Sequence, residues 1–297
     1  MYKQILVGFV TTAGLLAFAA PAMAGPIVFE VGGSDAASIQ GSVDAFRAAL
    51  GDPNNGNAPG PIIGGRREIN WDGGGGNFTT TAPVTPFNAF LDTRGAQFTT
   101  PGTGLTQAPP TADLVQDPTG AGGLAGLFGN PTYATTFGTF SPERLFVPVG
   151  SNITDGLFFL PGTNGATAAT VSGFGAVFTD VDLPDVTQIS FFGIDDALLF
   201  QDFVPAATVA DAGLSFLGVV FDAGEQISRI RITTGNTALG PNDDPGNGID
   251  VVAMDDFLYA EPVVLQVVPE PASLTLFGAG LAGMFLAIQR RQRRAGP

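Results

Sequence analysis

The sequence predicts a mainly β protein: an antiparallel β-sandwich of jelly-roll type carrying one amphipathic helix, with a signal helix at the N-terminus and a transmembrane helix at the C-terminus. Three observations point there. Between residues 144 and 259 short apolar runs rich in Val, Ile, Phe and Thr alternate with turn residues. The chain holds 42 glycines and 23 prolines, a usage that favours tight turns over helices. It also holds 25 phenylalanines, far more than a disordered chain would carry without a core to bury them in.

Residues 1–24 contain a cation (Lys3), an apolar stretch over 5–20 and a small-residue Ala22-Met23-Ala24 site. This is the pattern of a secretory signal peptide, with cleavage by signal peptidase leaving Gly25 as the mature start. The body is expected over 25–262. A first strand covers 27–31 and stops at Gly32-Gly33. The helix follows at 38–50, where Ile39, Val43, Phe46 and Leu50 share one face, Ser38 suits the N-cap and Gly51 the C′ position.

Residues 52–126 read as loop-rich. They include a strand at 66–71 with the single tryptophan, Trp71, a glycine run at 73–76, a strand at 98–105 and a weak segment at 108–126. The glycine run has neither the lysine nor the following helix of a phosphate loop. Strands are then expected at 144–149, 156–160, 169–178, 187–193, 197–203, 214–221, 226–233 and 249–259. Ser228, Ile230 and Ile232 alternate with Arg229, Arg231 and Thr233, so that strand has one buried and one wet face. Residues 263–268 form a linker, and 269–297 a distinct tail.

The tail has three parts: Pro269-Glu270-Pro271, an uncharged and mostly apolar run over 272–288, and Arg290, Arg291, Arg293 and Arg294. Seventeen residues of helix span roughly 25 Å, the short end of what crosses a bilayer. The arginines beyond it stay cytoplasmic under the positive-inside bias. In order, spacing and terminal position this tail resembles the PEP-CTERM sorting signal of Gram-negative bacteria. The resemblance implies an exosortase as processing partner, transient anchoring in the inner membrane and delivery to the cell surface or the medium. It also implies an association with exopolysaccharide. Separately, the segments 65–72, 171–182 and 251–259 are similar to a group of secreted bacterial proteins with the same tail, which implies a shared fold and brings no activity with it.

Composition closes off much chemistry. There is no cysteine and no histidine, and Lys3 is the only lysine. Disulfides, Ser-His-Asp and Cys-His nucleophiles, histidine-ligated zinc and lysine Schiff bases are thereby excluded from the mature chain's own residues. Of the 27 acids all but Glu270 fall in the body, against seven arginines there, so the body is strongly acidic and unsuited to nucleic acid. Carboxylates are what remains.

Asp180, Asp182 and Asp185 sit at a strand end; Asp243, Asp244, Asn247 and Asp250 occupy a glycine-rich loop; Asp255-Asp256 lie in the last strand. Oxygen ligands of this kind suit Ca²⁺. Asp180, Asp182, Asp243, Asp244, Asp250, Asp255 and Asp256 are therefore the candidate metal ligands, although none follows the EF-hand spacing. Asp255-Asp256 before Phe257 is similar to the closing strand of calcium-bearing carbohydrate-binding jelly rolls. A glycosidase needs two facing carboxylates, and Glu68, beside Arg67 in the Trp71 strand, is the best placed glutamate. The sequence reading is thus a non-enzymatic exported surface protein. A Ca²⁺-dependent carbohydrate-binding module and a carboxylate-based glycan hydrolase or lyase are the alternatives.

Overall fold

A computed structural model describes residues 25–72, 83–111, 122–240 and 245–264, together with 280, 281, 283, 284 and 290. The expected signal peptide, the 73–76 glycine run, the Pro-Glu-Pro and most of the tail lie outside these residues. Gly280, Leu281, Gly283, Met284 and Arg290 are helical. Among the described residues no helix is long and apolar enough to cross a membrane.

In chain order the strands are β1 (Ile27–Gly33), β2 (Arg66–Ile69), β3 (Ala96–Thr99), β4 (Gly104–Ala108), β5 (Leu145–Val149), β6 (Ile153–Phe158), β7 (Ala169–Thr170), β8 (Gly173–Thr179), β9 (Gln188–Phe192), β10 (Leu198–Phe203), β11 (Leu214–Val220), β12 (Arg229–Thr233), β13 (Ala253–Ala260) and β14 (Val263–Val264). One sheet runs β1-β11-β8-β13-β5-β4, with β2 also paired to β13; the other runs β10-β9-β12-β6-β3. At their centres the order β5-β13-β8-β11 faces β6-β12-β9-β10, and the chain passes repeatedly from one sheet to the other. This is the jelly roll the strand spacing predicts. The remaining strands extend its edges, and β14 pairs with β7 as a small separate ladder.

Helix α1 (Ala36–Leu50) covers the outer face of the first sheet. Its N-cap is Asp35, whose side chain accepts from the Ser38 amide while the Ser38 hydroxyl accepts from the Asp35 amide. Ser38 is therefore the third residue of a capping box and not the cap itself, and the helix starts two residues before the expected 38. Ile39, Val43, Phe46 and Leu50 are buried, as their spacing requires.

The helix can approach closely because β8 and β11 place Gly175 opposite Gly218 beneath it. A methyl group added at Gly175 would meet Gly218 Cα and Phe46 Cε1, both at 2.8 Å. Phe46 fills this trough and also meets the rings of Phe29 and Phe216 at 5.5 and 5.4 Å. Covered on both faces, β8, β11 and β13 are buried along their whole length.

Several boundaries differ from expectation. The expected strand 98–105 is two strands in opposite sheets, β3 and β4. Pro101, which has no amide hydrogen to give to a ladder, and Gly102 carry the chain between them. The expected strand 169–178 breaks after Thr170, where Val171 bridges to Ile227. The strand at 226–233 begins at Arg229; there Ile230 and Ile232 are buried and Arg231 exposed, as the alternation requires. The strand at 249–259 begins at Ala253 and ends at Ala260. Val263 and Val264 pair with Thr170 and Ala169, so ordered chain extends into the expected linker.

The loop-rich segment is part of the core. It supplies β2, β3, β4, the short helix α2 (Leu91–Arg94) and the start of α3 (Gly123–Phe128). Trp71 stacks on Phe146 at 3.8 Å with its ring nearly parallel, and Phe87, Phe90, Phe98 and Phe257 meet it edge-on. A two-ion contact closes the end of β13: Arg67, fully buried, donates from Nε and Nη2 to the two oxygens of Glu261, each at 2.7 Å.

The glycine trough can be tested by urea unfolding. Gly175→Ala should lose about 1–3 kcal/mol through overpacking. Phe46→Leu, which makes room for the methyl, should lower the combined loss well below the sum of the two single changes. Strict additivity would contradict the close approach described here.

Candidate functional site

The site grows from an irregularity in β13. Its register against β8 shifts between Met254 and Phe257, so Asp255 and Asp256 fall in a bulge at the centre of the sheet. Both are nearly inaccessible. Asp255 Oδ2 accepts from the amides of Phe140 and Ser141 at 2.6 and 3.4 Å, and Asp256 Oδ1 accepts from the Ser141 hydroxyl at 2.5 Å. The Asp255 carbonyl accepts from Trp71 Nε1 at 2.8 Å, tying the bulge to the aromatic core.

Two further elements complete the surroundings. Arg47, the residue after Phe46, leaves the helix towards β2 and β13. Its Nη2 donates to Glu68 Oε2 at 2.9 Å and lies 3.9 Å from Asp256 Oδ2. Glu68, opposite Leu258 in the β2–β13 ladder, also accepts from Arg66 Nε at 2.6 Å. One guanidinium therefore stands between two carboxylates from neighbouring strands. Arg47, Asn54, Glu68, Asn70, Arg94, Ser141 and Asp256 line an open cleft of about 340 Å³.

The electrostatics follow from this burial. Removal from water is the main force on Asp256 and raises its carboxyl to about 6, against the Ser141 hydrogen bond and the Arg47 charge, which favour ionisation. Burial also raises Asp255 well above the usual carboxylate range, the Asp256 charge adds to it, and the two backbone amides oppose it. Asp255 Oδ1 is buried with no hydrogen-bond partner as a carboxylate, so the adjacent acids are placed to hold a proton between them. A carboxyl that titrates near 6 can give or take a proton close to neutrality.

The other candidate ligands sit elsewhere. Asp180 and Asp250 are buried, and the Asp250 carboxylate accepts from the amides of Asp182 and Leu183 at 3.5 and 3.2 Å. Two of the acidic clusters noted in the sequence thus meet at one strand end, while Asp255 and Asp256 face Ser141 and Arg47 instead. Asp243 and Asp244 lie outside the described residues. Among the described residues no group of three or more acids is placed to hold a metal ion. Pro269, Glu270, Pro271, Arg291, Arg293, Arg294, Ala22 and Ala24 also lie outside them, and Gly25 is the first residue described. Arg47, Asn70, Arg94 and Ser141 gave no sequence signal, because they come from four separate segments.

The chain's address comes from its end. Residues 267–292 match the PEP-CTERM protein-sorting motif, and no curated protein matches the chain in sequence. The protein is an exported bacterial protein with a mainly β body, directed to the cell surface or the medium, and an exosortase is its processing partner.

Because Asp256 is raised from 3.8 to about 6, the folded state holds its proton more tightly than the unfolded chain does. Its contribution to stability is full below about pH 4 and is lost as pH rises through about 6. Relative to wild type, Asp256→Asn should therefore gain about 2 kcal/mol in unfolding free energy between pH 4 and pH 7. Denaturant unfolding of both proteins across that window measures the difference, and a constant difference would mean that no such proton is held.

Proposed function

We propose that the body is a non-enzymatic module of the cell surface or extracellular matrix, associated with exopolysaccharide. In this reading it is exported through the signal peptide at 1–24 and anchored for a time in the inner membrane of a Gram-negative bacterium by 272–288, until an exosortase processes the tail. The observation that carries it is the sorting motif joined to a cleft whose acids are engaged by neighbouring side chains. Glu68 is held by Arg47 and Arg66, and Asp256 by Ser141. Acids engaged in this way fasten α1, β2 and β13 together, and the amides of Asn54 and Asn70 on the rim are of the kind that pair with sugar hydroxyls.

Two alternatives each have a supporting observation. The raised Asp256, facing Glu68 across Arg47, supports a carboxylate-based glycan hydrolase or lyase. The approach of the Asp250 carboxylate to the strand end that carries Asp180 and Asp182 supports a Ca²⁺-dependent carbohydrate-binding module.

Fractionation of the native host distinguishes these. The proposal expects a cut tail in the presence of exosortase, an uncut tail after its deletion, and loss of the body from the matrix fraction of a polysaccharide-deficient strain. Matrix retention without the polysaccharide would overturn the association. Release of new reducing ends from exopolysaccharide, abolished by Glu68→Gln in a folded protein, would favour the hydrolase. Retention abolished by EDTA would favour the calcium module.

A further inference from the structure

The point where the tail leaves the body is closely defined. Glu261 is locked to Arg67, and two residues later Val263 and Val264 pair with β7. The matched sorting motif begins at residue 267, so only Leu265 and Gln266 separate it from β14. Five residue steps from Val264 to Pro269 cover at most about 17 Å even when fully extended. An enzyme that grips the motif must work against the body, on the face where β14 lies.

That face differs from the rest of the acidic surface. Val264 and Ala169 are directly opposite in the β7–β14 ladder, so their side chains share one side. Ala169 in turn lines an apolar groove of about 320 Å³ with Leu157, Phe159, Ala168, Ile194 and Arg229. Ile194, at the tip of the β9–β10 hairpin, is 47% exposed, and Val263 and Val264 are 42% and 43% exposed. The charges at the groove are spent internally. Arg229 donates to Asp196 at 2.5 Å and to Asp155 at 2.9 Å, and its guanidinium lies 3.7 Å over the Phe192 ring.

We propose that this β7–β14 face, with its groove and the Ile194 tip, is the docking surface for the exosortase, which meets it with an apolar protein surface. The short tether brings the enzyme here. A lipid surface fits less well, because the body's 26 acids against seven arginines would be repelled by anionic headgroups. Docking raises the effective concentration of the motif at the enzyme, so the body contributes to its own processing.

The inference rests on exosortase processing of the tail, and the test separates the two. In the native host, pulse-chase immunoblotting follows conversion of the full chain to the processed form. Ile194→Asp lies far from the motif in sequence and is expected to slow conversion at least about fivefold while the purified body melts as wild type does. A flexible ten-residue insert between Gln266 and Val267 should slow the wild type similarly, and Ile194→Asp should then add nothing. Conversion of Ile194→Asp at the wild-type rate would overturn the docking surface, with Glu270→Gln, uncut in the same strain, showing that sorting itself holds. Binding of the purified wild-type body to anionic phospholipid vesicles, lost in Ile194→Asp, would also overturn it and reassign the face to lipid.

Discussion

The contact of Phe46 with the Gly175–Gly218 trough sets the geometry of the whole first sheet. It allows a helix to lie on a surface that a plain sandwich leaves to water, and the sheet becomes the middle of three layers. Its strands then no longer need a wet face. The same contact fixes the position of Arg47, one residue further along α1. With Phe46 seated, that guanidinium reaches across to Glu68 and Asp256, and the polar cleft is assembled as a consequence of apolar packing.

The bulge in β13 works against this packing. Two adjacent carboxyls in a fully buried strand would, if both ionised, carry charge where little water reaches it, and neutralisation is the less costly outcome. Phe140, Ser141 and Trp71 supply hydrogen bonds to the bulge, so the unfavourable burial is spread over several donors. A place where local preference and fold disagree in this way is where function is usually sought. Here it also explains why the loop around Ser141 is held against β13.

The legible parts of the sequence were those with a strong period or a rigid residue. The α1 stripe of Ile39, Val43, Phe46 and Leu50 gave the helix and its buried face. The alternation of Ile230 and Ile232 with Arg229 and Arg231 gave the orientation of β12. Elsewhere the signal failed for physical reasons. The β8 segment, Gly-Phe-Gly-Ala-Val-Phe-Thr, is buried on both faces and shows no alternation, so its break from β7 was invisible. β3 and β4 merge into one expected strand because threonines run on through the turn that separates them, at Thr99, Thr100 and Thr103. The strand expected at 66–71 ends at Ile69, and Trp71, just beyond it in a region that reads as loop-rich, centres the aromatic core. Of the cleft, Glu68 and Asp256 stand out in the sequence, in unrelated segments, because its members become neighbours only through the fold.

The exit of the tail has a mechanical meaning. Any pull applied through the C-terminal tail reaches the body first through the two paired residues of β14. Behind them stands the Arg67–Glu261 clasp, and behind that β13, which is bonded to β8 on one side and to β2 and β5 on the other. Force is thus delivered lengthwise to a central strand instead of peeling an edge.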